Sequence, residues 1–516
     1  MAERYDVVVA GSGAAGLVAA LAAADAGARV LLLEAAAQVG GTTALGGGRV
    51  WVPANGTPAN RGDSVEAARE YLRDIFDPAY PEMLEAFLET APEMARFVER
   101  RSAHRFVACP NYPDYHQDRP GAALGGRCLD MQPIRLGDLA AEVGLVRIPP
   151  GYTPITHAEW EAWRYPQFFD RELLDERMRT GVRTNGVALV AGLLDGVVRA
   201  GVRLVTEAAV EEWHQGRIAF RQQGLAHEVE AASLILATGG FDGDGGRRGE
   251  LPAELRISAA APSNTGAALR ITEAAGARVA NLGQGWWMPM VWIPGEEMDG
   301  RPYPRGVVRE RGTPRQIVVD QHGHRVVDEA SSYSDFVKGM LAAGAGAASW
   351  IFDEAARARY PFPGVTPAQQ LPDWVTSAPT LDELASKVGI DAAGLRATVA
   401  RWNAFCDEGV DLDFGRGGNA YDRYYGDPWV DGNPCLGPLD EPPFHSIRIH
   451  AGMIGTKGGP VTDVGGRVMR EDGSACAGLF AVGNASCFWT ADGYPGPGST
   501  LGIGMTMGYR AGRAAS

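Results

Sequence analysis

Gly11-Ser12-Gly13-Ala14-Ala15-Gly16 sits between a β-branched run, Tyr5 to Ala10, and an Ala/Leu-rich stretch, Leu17 to Ala26. A second apolar run, Arg29 to Leu33, ends at Glu34, 18 residues past the third glycine. The first run reads as a buried parallel strand and the Ala/Leu stretch as a helix, so the block is a βαβ unit with G-x-G-x-x-G at its turn. Each part has a physical reason. Gly11 permits the tight turn, Gly13 lets the backbone approach a pyrophosphate, and Gly16 lets helix and strand pack closely. Free N–H groups at the helix start, those of Ala14 and Ala15 among them, face the phosphates. Glu34 is placed to accept from the ribose hydroxyls of an adenosine. A glycine-rich turn in an ordinary α/β domain would explain the glycines, but not strand, helix, strand and acid in register.

Three further segments argue for FAD over a nicotinamide. Gly40-Gly41-Thr42-Thr43, followed by Gly46, Gly47 and Gly48, is a second glycine-rich turn, which a larger cofactor needs at its isoalloxazine end. Ala231 to Leu236 reads as a strand running into Ala237-Thr238-Gly239-Gly240, and Gly478 to Val482 as another ending at Gly483-Asn484. Val210, Ser499 and Leu501 complete the expected cofactor contacts. The expected fold is α/β: a Rossmann-like FAD-binding domain over 1–285, an inserted α+β catalytic domain that caps the substrate over 286–446, and the C-terminal part of the FAD domain over 447–516. The insertion carries Trp286, Trp287, Trp292, Trp350, Trp374 and Trp402 but no dinucleotide fingerprint. Any one of these tryptophans is also ordinary core material.

A formal charge of −15 argues against nucleic acid or an anionic membrane as partner. Six cysteines without a C-x-x-C pair give no zinc or dithiol spacing and point to a reduced, cytoplasmic setting. No signal peptide is read at the start. The apolar run Val187 to Val198, broken by Gly192, Asp195 and Gly196, is too short to span a bilayer. No metal site is expected, since Asp411 and Asp413 lie in a Gly/Asp-rich turn without further spaced ligands.

The motifs are specific enough to place the chain beside a family. Gly40-Gly-Thr-Thr-Ala-Leu-Gly-Gly-Gly-Arg-Val-Trp51-Val-Pro53, Asn111-Tyr-Pro-Asp-Tyr115, Gly323 through Tyr333, Asn433 through Pro438, Gly455 through Gly459, and Asn484 through Gly498 recur nearly end to end. Together they resemble the 3-ketosteroid Δ1-dehydrogenase branch of the fumarate reductase/succinate dehydrogenase flavoprotein superfamily. Tyr494-Pro-Gly-Pro-Gly498 is the most diagnostic piece; fumarate reductases have an arginine-bearing clamp there. Covalently flavinylated relatives carry a histidine where Thr42, Thr43 and Ala44 stand, so the resemblance implies non-covalent FAD. Asp328 stands where Asn is usual and His445 where Tyr is common. Leu45 and His116 adjoin positions where Ser or Tyr is expected.

Desaturation beside a ketone needs a polarised carbonyl, a base for the α-proton and an acceptor for the β-hydride. The Tyr494 hydroxyl and the Gly498 N–H are candidates for an oxyanion-hole pair. Tyr333 is the candidate base, tuned by a second hydroxyl, that of Tyr115; Tyr112 has a comparable claim. FAD takes the hydride. Cys487, His445 and His450 receive no role. The expected partners are a small cyclic ketone, a 3-ketosteroid first, and an external electron acceptor. A smaller ketone such as an oxocyclohexanecarboxylate, an ene-reductase of the same fold, and a non-enzymatic flavin-binding protein are the other readings.

Overall fold

Val7, Val8 and Val9 are fully buried, as a β-branched run flanked by parallel neighbours should be. They belong to β1 (Arg4–Ala10) in a computed structural model that describes residues 3–516 apart from Arg256 and Ala368. Helix α1 (Ala14–Asp25) follows, then β2 (Val30–Leu33), helix α2 (Asn185–Arg199), β3 (Arg203–Val205), β4 (Ala208–His214), β5 (Arg217–Gln222) and β6 (Leu225–Leu236). The second layer holds β7 (Gly285–Val291), β8 (Gln316–Val319), α3 (Tyr333–Ala342), β9 (Ala347–Asp353) and β10 (Phe444–Thr456). The chain then returns through β11 (Arg467–Met469), β12 (Ala475–Ala481) and α4 (Ser499–Ala515).

The first sheet runs β11-β12-β6-β1-β2-β3, and its inner pairs are parallel. Strand β6 changes partner midway. Leu225 to Glu230 pair antiparallel with β5 and are mostly exposed, whereas Glu230 to Leu236 pair parallel with β1 and are mostly buried. The architecture is the expected α/β one, with strand ends converging on the glycine-rich turn.

Helix α4 lies against α1 along small residues. A Cβ on Gly508 or Gly512 would collide with the carbonyl oxygens of Ala15 and Ala19. Backbone thus meets backbone between the first and last helices.

In the second sheet the order is Arg305–Gly306, β7, β10, β9, β8, with β10 central and antiparallel to β7 and β9. The division expected at 446 therefore falls inside β10. Strand β7 is the seam. Trp286, Met288 and Met290 enter one apolar cluster with the first helices, while Trp287 and Val291 enter the cluster of the second layer. That alternation is the two-residue period of a strand buried on both faces. Trp350 and Trp402 are fully buried core. No helix of the described residues is long and apolar enough to cross a membrane.

Candidate active site

At the turn after β1, Gly11 has φ +107°, and a Cβ there would collide with the Ala237 carbonyl. Only glycine adopts that conformation freely. A Cβ on Gly16 would collide with the Gly11 carbonyl. Gly13, which caps α1, is different: its nearest protein atom would be Thr43 Oγ1 at 3.5 Å. The helix start has no acidic residue in its first turn and no side-chain cap. Ala14 N–H donates to Thr43 Oγ1 (3.0 Å), which joins the two glycine turns.

A second tie runs through Glu34, which is buried. Its Oε2 accepts from the Ser12 N–H (3.0 Å) and hydroxyl (2.5 Å), and its Oε1 from Ala36 N–H (2.9 Å). Ser12 Oγ in turn accepts from Gly40 N–H (2.9 Å). A carboxylate offers about four acceptor positions, so one remains for a ribose hydroxyl. Thr42 Oγ1 accepts from Ala261 N–H (3.0 Å) and Asn264 Nδ2 (3.2 Å). Gly41 faces open space, and Thr238 Oγ1 is buried without a partner. The residues present therefore fit a dinucleotide: an open helix start, a spare acceptor on Glu34 and an orphaned hydroxyl.

The other expected contacts fall around this cradle. A Cβ on Gly239 would meet Asn264, one on Gly240 would meet Thr456, and one on Gly48 would lie 2.5 Å from the Asn185 and Gly186 backbone. Gly47 faces only the flexible Arg49 side chain. Gly483 abuts Ala15, and Asn484 Oδ1 accepts from Trp286 Nε1 (3.1 Å). Ser499 is buried, its hydroxyl donating to the Gly496 carbonyl (2.6 Å), and Leu501 is half-buried in the same turn of α4. Val210 alone stands apart. Its side chain lies in the core with Leu33 and Phe220, although its strand begins where Ala208 N–H donates to the Glu34 carbonyl (2.8 Å).

Three tyrosines from three distant segments meet beside the cradle. Ring centroids lie 5.4 Å apart for Tyr115 and Tyr333, 5.3 Å for Tyr115 and Tyr494, and 5.3 Å for Tyr333 and Tyr494. The Tyr333 hydroxyl donates to that of Tyr494 (2.5 Å), as does Thr500 Oγ1 (3.2 Å). Both lone pairs of the Tyr494 oxygen are thereby used, and its own proton is left to donate. Among the described residues the buried Tyr115 hydroxyl has no hydrogen-bond partner. Burial pushes the Tyr333 phenol well above the ordinary range, with the neighbouring Tyr494 adding to the effect. Burial also raises Tyr494, against the lowering effect of the bonds from Thr500 and Tyr333.

Local packing holds these rings. The Pro495 carbonyl accepts from Tyr71 Oη and from Tyr115 N–H (2.9 Å), which ties the Tyr494 turn to the Tyr115 loop. Asp114, next to Tyr115, accepts from Trp51 Nε1 (2.8 Å) and Arg127 (2.7 Å). Ser332 caps α3 and sets Tyr333 at its first position. Gly498 has φ +89°; its carbonyl accepts from Trp51 N–H (3.1 Å), and a Cβ there would lie 2.5 Å from the Arg49 carbonyl. Among the described residues the Gly498 N–H has no protein acceptor.

Sequence reasoning missed Tyr421. It is buried, its hydroxyl is unpartnered, and its ring lies 5.0 Å from Tyr115. A helix spelling Ala420-Tyr-Asp-Arg-Tyr-Tyr425 carried no motif to flag it. Tyr112 is not in the trio; its hydroxyl accepts from Tyr425, and its ring stacks on His157 (4.7 Å). His445 bonds Ser377 and Glu354, and Asp411 pairs with Arg325 (2.9 Å), so both serve the second layer. Two surface clefts, of about 310 Å3 beside Glu142 and 710 Å3 beside Trp213, are lined by none of these residues.

A family model described as an FAD binding domain matches residues 6–501. The 4-oxocyclohexanecarboxylate 2-dehydrogenase of Sinomonas cyclohexanicum is 38% identical over 99% of this chain and 92% of its own length. The 3-oxosteroid 1-dehydrogenase of Mycobacterium tuberculosis is 36% identical over 99% of this chain and 98% of its own. The crystal structure of 3-ketosteroid delta1-dehydrogenase from Sterolibacterium denitrificans, in complex with 1,4-androstadiene-3,17-dione, superposes with a TM-score of 0.93. It is 33% identical, with 99% of each chain covered.

Proposed function

The chain belongs to the FAD binding domain family and is an FAD-dependent oxidoreductase, and on that premise we propose that it desaturates a cyclic ketone at the carbons α and β to the carbonyl. The observation that carries this reading is the meeting of Tyr115, Tyr333 and Tyr494 beside the dinucleotide cradle. The Tyr494 hydroxyl, with its proton free, and the Gly498 N–H hold the carbonyl oxygen and stabilise the enolate that develops there. Tyr333 acts as its phenolate, after its own proton has been given up to solvent, and takes the α-proton onto its oxygen, with Tyr115 beside it. Bound FAD supplies the acceptor for the hydride that leaves the β-carbon. Residues 286–446 form the cap that brings Tyr333 over the cradle.

Gly11, Gly13, Gly16 and the start of α1 would hold the pyrophosphate, Glu34 the ribose, and the turns at Gly40, Gly239 and Gly483 the rest of the cofactor. The FAD is non-covalent, since Thr42, Thr43 and Ala44 offer no nucleophilic imidazole. An external acceptor reoxidises it. Six free cysteines support a reduced, cytoplasmic setting.

3-Oxosteroid 1-dehydrogenation is supported by the relatives of that name and by the superposition. A second reading, a monocyclic oxo-acid as substrate, is favoured by the 38% identity to the cyclohexane enzyme. The test is anaerobic mixing of the purified yellow protein with steroidal and monocyclic ketones. A ketone that bleaches the flavin, with its 2-ene product recovered, supports the reading; bleaching by none of them refutes it. Acid precipitation should leave FAD in the supernatant.

A further inference from the structure

From the tyrosine trio an aromatic shell continues away from the cradle. Tyr115 meets Tyr421, which lies 5.7 Å from Tyr425. The hydroxyls of Tyr425 and Tyr112 bond, and Tyr112 stacks on Tyr424 (4.9 Å) and His157. Trp160 closes the shell, 5.6 Å from Tyr425 and 5.9 Å from Tyr424. Into it reaches Arg309, whose guanidinium lies 4.1 Å over the Trp160 ring.

Among the described residues that guanidinium forms no ion pair, and the hydrogen bonds found for Arg309 are of its backbone: its N–H donates to Glu310 (3.1 Å) and its carbonyl accepts from Gly312 N–H (3.4 Å). The surrounding charged groups have other engagements. Arg49 pairs with Asp130 (3.9 Å) and donates to the Gly47 carbonyl and to Asn185 Oδ1. Glu161 accepts from the Tyr424 hydroxyl (2.7 Å) and approaches His157 (3.6 Å). Arg164 donates to the Tyr424 carbonyl (2.8 Å) and shares Trp160, at 4.9 Å. Burial pulls Arg309 below the ordinary arginine range, and Arg49 is the nearby cation that pulls it further. Arg49 in turn leaves the backbone at the carbonyl that abuts Gly498, the turn proposed to hold the ketone oxygen.

We propose that Arg309, with Arg49 beside it, is the receptor for a carboxylate carried by the substrate, so that the enzyme prefers a monocyclic oxo-acid to a neutral ketone or steroid. This rests on the ketone-desaturation reading. A half-buried guanidinium without a counter-ion is a ready partner for an incoming carboxylate, which it can hold through charge-assisted, bidentate hydrogen bonds. A neutral ring system would bury its apolar far end against the same cation and offer it no such partner. The carboxylate takes no part in the redox step. Its contribution is to anchor the ring while Tyr494 and Gly498 hold the ketone oxygen.

The test is single-turnover flavin reduction by the holoenzyme under anaerobic conditions, with 4-oxocyclohexanecarboxylate, its methyl ester and a neutral 3-oxosteroid. The wild type should use the acid at least about a hundredfold better than the ester in terms of rate over half-saturation. Arg309→Leu should lose about a hundredfold on the acid, through half-saturation and not through the limiting rate, and should gain on the ester, which no longer meets the cation. Arg309→Lys should restore part of the loss. Equal use of acid and ester by the wild type, or preference for the steroid, overturns the carboxylate receptor while leaving ketone desaturation intact. Equal loss on acid and ester in Arg309→Leu also overturns it. Bleaching by none of the three overturns the underlying reading as well. The wild-type comparison needs no variant, so it decides the matter even if Arg309→Leu does not fold.

Discussion

The Tyr494 oxygen accepts from two hydroxyls and so has one direction left in which to donate. Removing that hydroxyl with Tyr494→Phe keeps the ring and its 4.7 Å edge contact with Trp286. Flavin reduction by the ketone should fall by about 10²–10³, the usual cost of one oxyanion donor, and ketone affinity should weaken with it. On the proposed reading, in which Tyr333 is the base and not a binding group, Tyr333→Phe should cost about 10²–10⁴ and leave affinity nearly unchanged. Stopped-flow reduction with FAD still bound separates the two; a wild-type rate in Tyr333→Phe would assign the base elsewhere. The pH dependence has a sign. A base acts deprotonated, and burial raises Tyr333 above the ordinary phenol value of about 10. The reduction rate should therefore keep climbing through pH 9 without levelling. Tyr494 is legible in the chain because it sits in a Gly/Pro turn where packing alone does not call for a phenol, and Tyr333 because it ends the Gly323 to Tyr333 segment on which the family resemblance rests. Tyr421 and Arg309 are not. That a hydroxyl lacks a partner, or a guanidinium a counter-ion, depends on residues brought in from other segments, and no local pattern records it.

Among the elements, the βαβ unit is the most legible, because strand, turn and helix each carry their own short-range signal. Its turn yields a sharp expectation. Valine at position 13 would meet no protein atom nearer than 3.5 Å at its Cβ, so the βαβ unit itself tolerates it. Gly13→Val should then fold with a near-wild-type far-ultraviolet spectrum and purify without flavin. A full flavin complement would show that the pyrophosphate binds elsewhere. The contact between α1 and α4 behaves in the opposite way. At Gly508 a side chain drives into the Ala15 carbonyl, and backbone cannot yield as a side chain can. Gly508→Val should cost at least the ~1–3 kcal/mol typical of overpacking, read as a lowered thermal midpoint together with weaker FAD retention. A midpoint within a degree of wild type would mean the two helices slide apart freely. The extent of β10 was hidden from the sequence. Its thirteen residues are buried at both ends, and a composition shift near Phe444 does not coincide with the end of a strand.

For the molecule as a whole, two buried histidines each weaken the fold toward acid. His104, bonded through Nε2 to the Leu189 carbonyl (2.7 Å), and His157, bonded to Tyr424 (2.6 Å), are both drawn down by burial to about 4 from 6.5. Each stays neutral in the folded chain while the unfolded chain takes up a proton below pH 6.5. Their contribution is complete above 6.5 and is lost as pH falls toward 4. Together they should lower stability by about 4 kcal/mol between pH 7 and 5, at ~1.4 kcal/mol per unit for each. Urea midpoints of the wild type and of His104→Gln across that range check it: the variant should be spared about 2 kcal/mol of the fall. The fold adds a constraint of time. Residues Gly11 to Thr43 leave the ribosome long before Gly483 to Ser499 and α4, yet they face one another across one cradle. A nascent chain therefore carries half a flavin site and an uncovered α1 face until those later segments are made. Cofactor loading has to wait for α4, and the growing chain depends on whatever shields that small-residue face until its partner helix is made.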